Sequence, residues 1–213
     1  MHITRFIVNM IEENCYLVWD EAGQAALIDC GAFYPEEQKA ISDFIAQKGL
    51  TLTRLLNTHG HFDHIFGASF VYDTYGVPIE LCDAERQTYE SSVEQMARFM
   101  HRPIPLQLPP EARYFKDGDT LQVGSLTARV IATPGHTPGG VCFYFEEEGV
   151  LFSGDSLFRG EIGRCDLPGG NEIQLIEGLR QRILTLPPEV QVLPGHGDAT
   201  TIATERASNR YLQ

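Results

Sequence analysis

Four times in this chain a strand-like apolar run ends in a glycine-containing turn that delivers a histidine or an aspartate. "LTRLLNTHGHFDH" delivers His59, His61, Asp63 and His64; "LTARVIATPGH" delivers His136; "GVLFSGD" delivers Asp155; and "VQVLPGH" delivers His196. In α/β proteins, sites form at the carboxyl ends of strands. Four such loops, spread along the chain, share a purpose only in a fold that brings four strand ends to one face. The first loop is also expensive. It holds three histidines and an aspartate between His59 and His64, and buried polar groups need partners.

The converging set is five histidines, His59, His61, His64, His136 and His196, with two aspartates, Asp63 and Asp155. A tetrahedral zinc takes only four ligands. Seven suit two metals that share one carboxylate and sit about 3.5–4 Å apart around a bridging water or hydroxide. Imidazole with carboxylate suits zinc, iron or manganese, with zinc the leading expectation. His59 and His61 are two apart and point the same way in an extended segment, so they can share a metal. Asp63 and His64 come at the turn into a helix and can face a second one. Gly60, Gly135 and Gly195 permit close backbone approach beside the ligands. The opposing reading, seven such residues at strand ends by accident, needs too many coincidences. His2 and His101 are ordinary surface or loop residues.

The surrounding pattern alternates strands and helices, which indicates α/β layers. "ITRFIVNM", "NCYLVWD" and "AALIDCG" read as strands. "YPEEQKAISDFIAQKG" reads as a helix with Pro35 near its start, a buried stripe of Ile41, Phe44 and Ile45, and a stop at Gly49. "LTRLLNTH" is a strand, a helix is expected from about His64 to Tyr75, and "VPIELC" is a short strand. Residues 84–101 are polar and helical in period. The proline-rich "RPIPLQLPPEARYF" reads as irregular, a seam or, with residues 84–115 as a whole, a lid. The second half supplies strands in "TLQVGSLTARVIA", "GGVCFYF" and "GVLFSG", then a long loop from Ser156 to Gly170. A helix capped by Asn171, a strand in "EVQVL" and a closing helix follow.

The formal net charge of −13 offers no basic footprint, so nucleic acid and anionic membrane are not expected partners. The N-terminal "MHITRFIVNMIEENCYLVWD" lacks the pattern of a signal peptide. No apolar run approaches the ~18 residues of a membrane span. Cys15, Cys30, Cys82, Cys142 and Cys165 are odd in number and widely spaced, which suits reduced thiols and a cytoplasmic location.

Thr-His-x-His-x-Asp-His, followed by Gly-His, Gly-Asp and Gly-His, resembles the metallo-β-lactamase superfamily from "LIDCG" to "LPGHG". The resemblance implies a single domain over residues 1–213 with an αββα sandwich, two mixed sheets face to face and helices outside. It implies one metal on His59, His61 and His136, a second on Asp63, His64 and His196, and Asp155 bridging. Within the superfamily, "GDSLFRGEIGRCDLPGG" resembles small glyoxalase II-like hydrolases, similar to hydroxyacylglutathione hydrolases. The short stretch after His196 implies that the C-terminal helical domain of full-length glyoxalase II is lacking. The implied reaction is hydrolysis of a thioester such as S-lactoylglutathione, by a hydroxide generated between the two cations, with Asp63 and Asp155 as catalytic carboxylates. Gly163 to Asp166 also resembles persulfide dioxygenases, which use a single iron on the same scaffold, and that is the alternative. Asp29 is either a partner for a ligand histidine or part of a plain Asp-Cys-Gly turn. Arg159 and Arg164, in the loop after Asp155, are either substrate-carboxylate contacts or solvated loop arginines.

Overall fold

A strand with apolar residues on both faces needs a layer on each side, and the central strands of this chain have it. The computed structural model describes residues 1–101 and 106–213. Its first sheet has the order β1-β2-β3-β4-β5-β6: His2–Val8, Glu13–Trp19, Gln24–Ile28, Thr51–Leu56, Ile79–Cys82 and Ala112–Phe115. β1 to β3 are antiparallel, and β3 to β6 are parallel. The second sheet has the order β14-β13-β10-β9-β8-β7, from β7 (Thr120–Val123), β8 (Leu126–Ala132), β9 (Val141–Phe145), β10 (Val150–Gly154), β13 (Gln191–Pro194) and β14 (Thr200–Thr201). It too is mixed, since β10 and β13 run parallel.

Alternation of side chains sorts these strands into three apolar seams. Tyr16 and Val18 of β2, with Ala26 and Ile28 of β3, face the second sheet's Phe143, Phe145 and Phe152. Cys15 and Leu17 point the other way, into a seam with Ile41 and Ile45 of α1 (Pro35–Lys48) and Val71 of α3 (Ala68–Tyr75). Cys142 and Tyr144 of β9 face α6 (Glu172–Gly178) and α7 (Ile202–Ser208) through Leu175 and Ile202. The expected αββα four-layer sandwich is therefore present. "VCFYF" is apolar throughout because both of its faces are covered. Among the described residues no helix is long and apolar enough to cross a membrane.

The structure departs from the sequence pattern in three places. The helix expected from His64 to Tyr75 is two, α2 (Phe62–Ile65) and α3. The chain breaks because Cys30 and the site loop exchange backbone hydrogen bonds there, Cys30 N to His64 O and Gly67 N to Cys30 O. "ARYF", read as irregular, is the edge strand β6, paired in parallel with β5; residues 102–105 of the proline-rich segment lie outside the described residues. The loop from Ser156 to Gly170 contains a small hairpin, β11 (Leu157–Phe158) with β12 (Glu161–Ile162).

The polar segment 84–101 is helical, as its period predicts. It follows a 3-10 turn, Asp83–Glu85, and comprises α4 (Arg86–Glu90) and α5 (Ser92–Met100). Met96 of α5 packs with Phe62 and Phe66, so this segment lies against the histidine loop.

Candidate metal centre

The loops after β4, β8, β10 and β13 meet at one edge of the sandwich. The candidate ligand atoms of His59, His61 and His136 all lie within 4.8 Å of one another, and so do those of Asp63, His64 and His196. Asp155 stands between the two clusters. Its Oδ1 is 3.3 Å from His64 Nε2, and its Oδ2 is 3.6 Å from His136 Nε2 and 3.7 Å from His196 Nε2. All seven residues singled out in the sequence are thus brought together. Gly195 leaves the space for it, since a Cβ there would run into Asp155 Oδ1 and His64 Cε1.

Hydrogen bonds behind the rings set which nitrogen faces the centre. Asp29 accepts the Thr58 backbone N–H at 2.7 Å and the Thr58 hydroxyl at 2.7 Å. With its one proton so used, the hydroxyl can only accept from His59 Nδ1, 3.0 Å away. His59 Nε2 is then a lone pair, and it is buried without a hydrogen-bond partner. His136 Nδ1 donates to the Arg164 carbonyl at 2.7 Å, which leaves its Nε2 as a lone pair aimed at His61 Nδ1, 2.9 Å away. His196 Nδ1 donates to the Ile11 carbonyl at 3.2 Å. Its Nε2 therefore faces Asp63 Oδ2 at 3.2 Å and His64 Nε2 at 3.3 Å. Such outer partners orient ligands in metal sites generally.

This donor set fits a pair of cations. Desolvation holds His59 well below the ordinary imidazole range, and it pushes His61 down to about 4. Both are therefore neutral, the form that donates a lone pair. Around His64 burial acts in the same direction, but Asp155, Asp63 and Asp29 override it and raise the ring well above its ordinary range. Burial would raise Asp155, yet His64 holds it well below the usual carboxylate range. The carboxylates thus draw positive charge into a buried pocket. Metal ions would supply that charge directly. The partnerless Asp155 Oδ1 says the same.

Asp29 lies 3.1 Å from His64 Nδ1 as well as bonding Thr58, so the partner reading of this residue describes its position. The arginines are placed differently from one another. Arg164 is 60% exposed at its side chain and bonds Asp166 through two contacts of 2.8 Å. Its backbone carbonyl, not its guanidinium, touches the centre. Arg159 is exposed, 3.8 Å from Asp198.

Three residues at the site were not singled out from sequence. Thr58 relays Asp29 to His59. Glu13, fully buried in β2, lies 4.0 Å from His64 Nδ1. Glu85 bonds two of the ligand loops. Only Thr58 carried a signal, as a hydroxyl beside the first histidine at a strand end.

Residues 11–196 match the family model described as the metallo-beta-lactamase superfamily. Over its whole length the chain is 36% identical to hydroxyacylglutathione hydrolase GloC of Haemophilus influenzae, covering 98% of that protein. Two solved structures resemble it along their full lengths. The B3 metallo-beta-lactamase BLEG-1 is 34% identical and covers all of this chain with a TM-score of 0.90. TTHA1623 in a di-iron-bound form is 37% identical and covers 98% of this chain with a TM-score of 0.86.

Proposed function

The chain belongs to the metallo-beta-lactamase superfamily, and from that premise we propose that it is a metal-dependent hydrolase of thioesters, with a glutathione thioester such as S-lactoylglutathione as substrate. The observation that carries the reading is the pair of ligand clusters with Asp155 between them. The full-length likeness to a hydroxyacylglutathione hydrolase supports the choice of substrate, and the likeness to a di-iron form supports two metals, with iron beside zinc as a candidate.

His59, His61 and His136 would hold one cation, Asp63, His64 and His196 the other, and Asp155 would serve both. When bound, the cations supply Lewis acidity, which lowers the pKa of a water toward neutrality and stabilises charge developing on a carbonyl oxygen. The protein's own contribution is preorganisation. Thr58, the Arg164 carbonyl and the Ile11 carbonyl fix three rings before substrate arrives. Asp63, beside His196, would orient the attacking water. Burial of His59 and His64, 2% and 0% exposed, keeps bulk water from competing for their ring nitrogens.

Purified protein reconstituted with zinc, iron or manganese should cleave S-lactoylglutathione, followed by the loss of thioester absorbance, faster than simple esters or β-lactams. A panel in which a β-lactam is cleaved and thioesters are untouched would overturn the substrate. One iron per chain, with oxygen uptake on glutathione persulfide, would replace hydrolysis by the dioxygenase alternative.

A further inference from the structure

One carboxylate outside the ligand set is bonded to two of the ligand loops. Glu85 ends the 3-10 turn after β5 and is 0% exposed. Its Oε1 accepts the backbone N–H of Gly60 at 3.1 Å. Its Oε2 accepts the Thr137 hydroxyl at 2.9 Å and the backbone N–H of Gly139 at 2.7 Å. Gly60 lies between His59 and His61, and Thr137 follows His136. The contacts are close: a Cβ on Gly60 would sit 2.8 Å from Tyr89 N, and one on Gly139 would run into the backbone of Glu85 itself. Segment 83–90 is therefore seated on both loops without intervening side chains.

All three partners of Glu85 are donors, and a carboxylate is an acceptor at both oxygens. No other common side chain of this length matches that set, because glutamine would aim an N–H₂ at an N–H. Burial pushes the Glu85 carboxyl above its ordinary range, and the Gly60, Thr137 and Gly139 donors offset only part of that rise. Keeping a carboxylate in such a place costs stability, and an apolar packing residue would avoid that cost. None of the hydrogen bonds of Glu85 reaches the loop segments carrying Asp63 and His64 or the loop carrying His196.

We propose that Glu85 is a positioning residue for the three-histidine cluster, fixing the separation of the His59–His61 loop from the His136 loop and so the geometry offered to one of the two cations. The inference rests on the reading that both clusters hold metal. A purely structural role would lower thermal stability and weaken both metal-binding steps alike. A positioning role weakens one.

The test is stepwise zinc titration of metal-free protein in competition with a chromophoric chelator. His136→Ala and His196→Ala serve as markers for which step belongs to which cluster. In Glu85→Gln, the step lost in His136→Ala should weaken ~10–100-fold while the other stays within about threefold. Thr137→Val removes one of the three donors and should weaken the same step less; it decides the matter if Glu85→Gln does not fold. Equal weakening of both steps, or no change in either, would overturn the proposal while leaving the metal centre intact. Wild-type protein that binds no zinc at all would overturn both.

Discussion

The two ligand clusters share Asp155 but are built on different principles. His59, His61 and His136 form an imidazole cluster in which burial keeps two of the rings uncharged, and its geometry is held from behind by hydrogen bonds to Thr58, the Arg164 carbonyl and Glu85. Asp63, His64 and His196 form a charged cluster, with Asp29 adding a carboxylate 3.1 Å from His64 Nδ1, while burial pushes the nearby Glu13 carboxyl well above its ordinary range. Directed hydrogen bonds orient rings in both halves, but only around His64 do neighbouring carboxylates override the cost of burying charge. The lesson is that two ligand clusters a few ångströms apart need not be equivalent in affinity for a metal or in sensitivity to mutation.

The sharpest way to break that comparison is to remove what the halves share. Asp155→Ala should cost both metals and roughly a thousandfold or more in rate, checked by elemental analysis alongside turnover. If the variant retains two metals per chain, Asp155 does not join the halves. Removing His136 or His196 singly should each leave one metal per chain, and a variant that loses both would mean the sites fill only together. Asp29→Asn comes next. It reaches His59 through Thr58 and His64 directly, so it should weaken both binding steps by ~10–100-fold. Asparagine tolerates the left-handed backbone at this position, where φ is +48°, so the fold should survive. Thr58→Val should weaken only the imidazole half, by about tenfold, because it strips the acceptor from His59 Nδ1 alone.

The smallest effect belongs to a tie on the sandwich surface. Asp117 accepts from Arg182 and from the Ala132 N–H, both at 2.8 Å. Burial opposes ionisation, but Arg182 prevails and lowers the carboxyl below its ordinary value of 3.8. A depressed folded-state pKa gives stability that is complete above the ordinary carboxylate range and is lost as pH falls through and below it. Asp117→Asn should therefore cost under ~1 kcal/mol at pH 7, flatten the acid limb of the unfolding curve and leave both zinc affinities unchanged. A shifted affinity would show that surface ties also set the centre.

Much of this arrangement was legible in the sequence because its signals are local. A strand, a glycine and a histidine within ten residues announce a site loop, and the unbroken apolar run of β9 announces a strand covered on both faces. What escaped depends on contacts far apart in the chain. β6 follows prolines and becomes a strand only because β5 offers a parallel edge. The break at Gly67 answers to Cys30, on a different element. Glu85 sits in an unremarkable polar stretch, and its partners Thr137 and Gly139 lie 52 and 54 residues away. Arg164 was visible as a loop cation, but the sequence could not say that Asp166 would occupy its guanidinium while its carbonyl turned toward His136.

His196 reaches its place through the opposite sheet. β2 grips the last loop, with Asn14 N bonded to Gly195 O at 2.7 Å and the Tyr16 hydroxyl and Asn14 side chain bonded to Pro194 O. His64 and His196 are 132 residues apart, so at ordinary rates of translation the ribosome delivers the second on the order of ten seconds after the first. For that interval the cluster of Asp63 and His64 lacks its third member. The centre is thus complete only once β13 has been made and the loop after it has docked on β2.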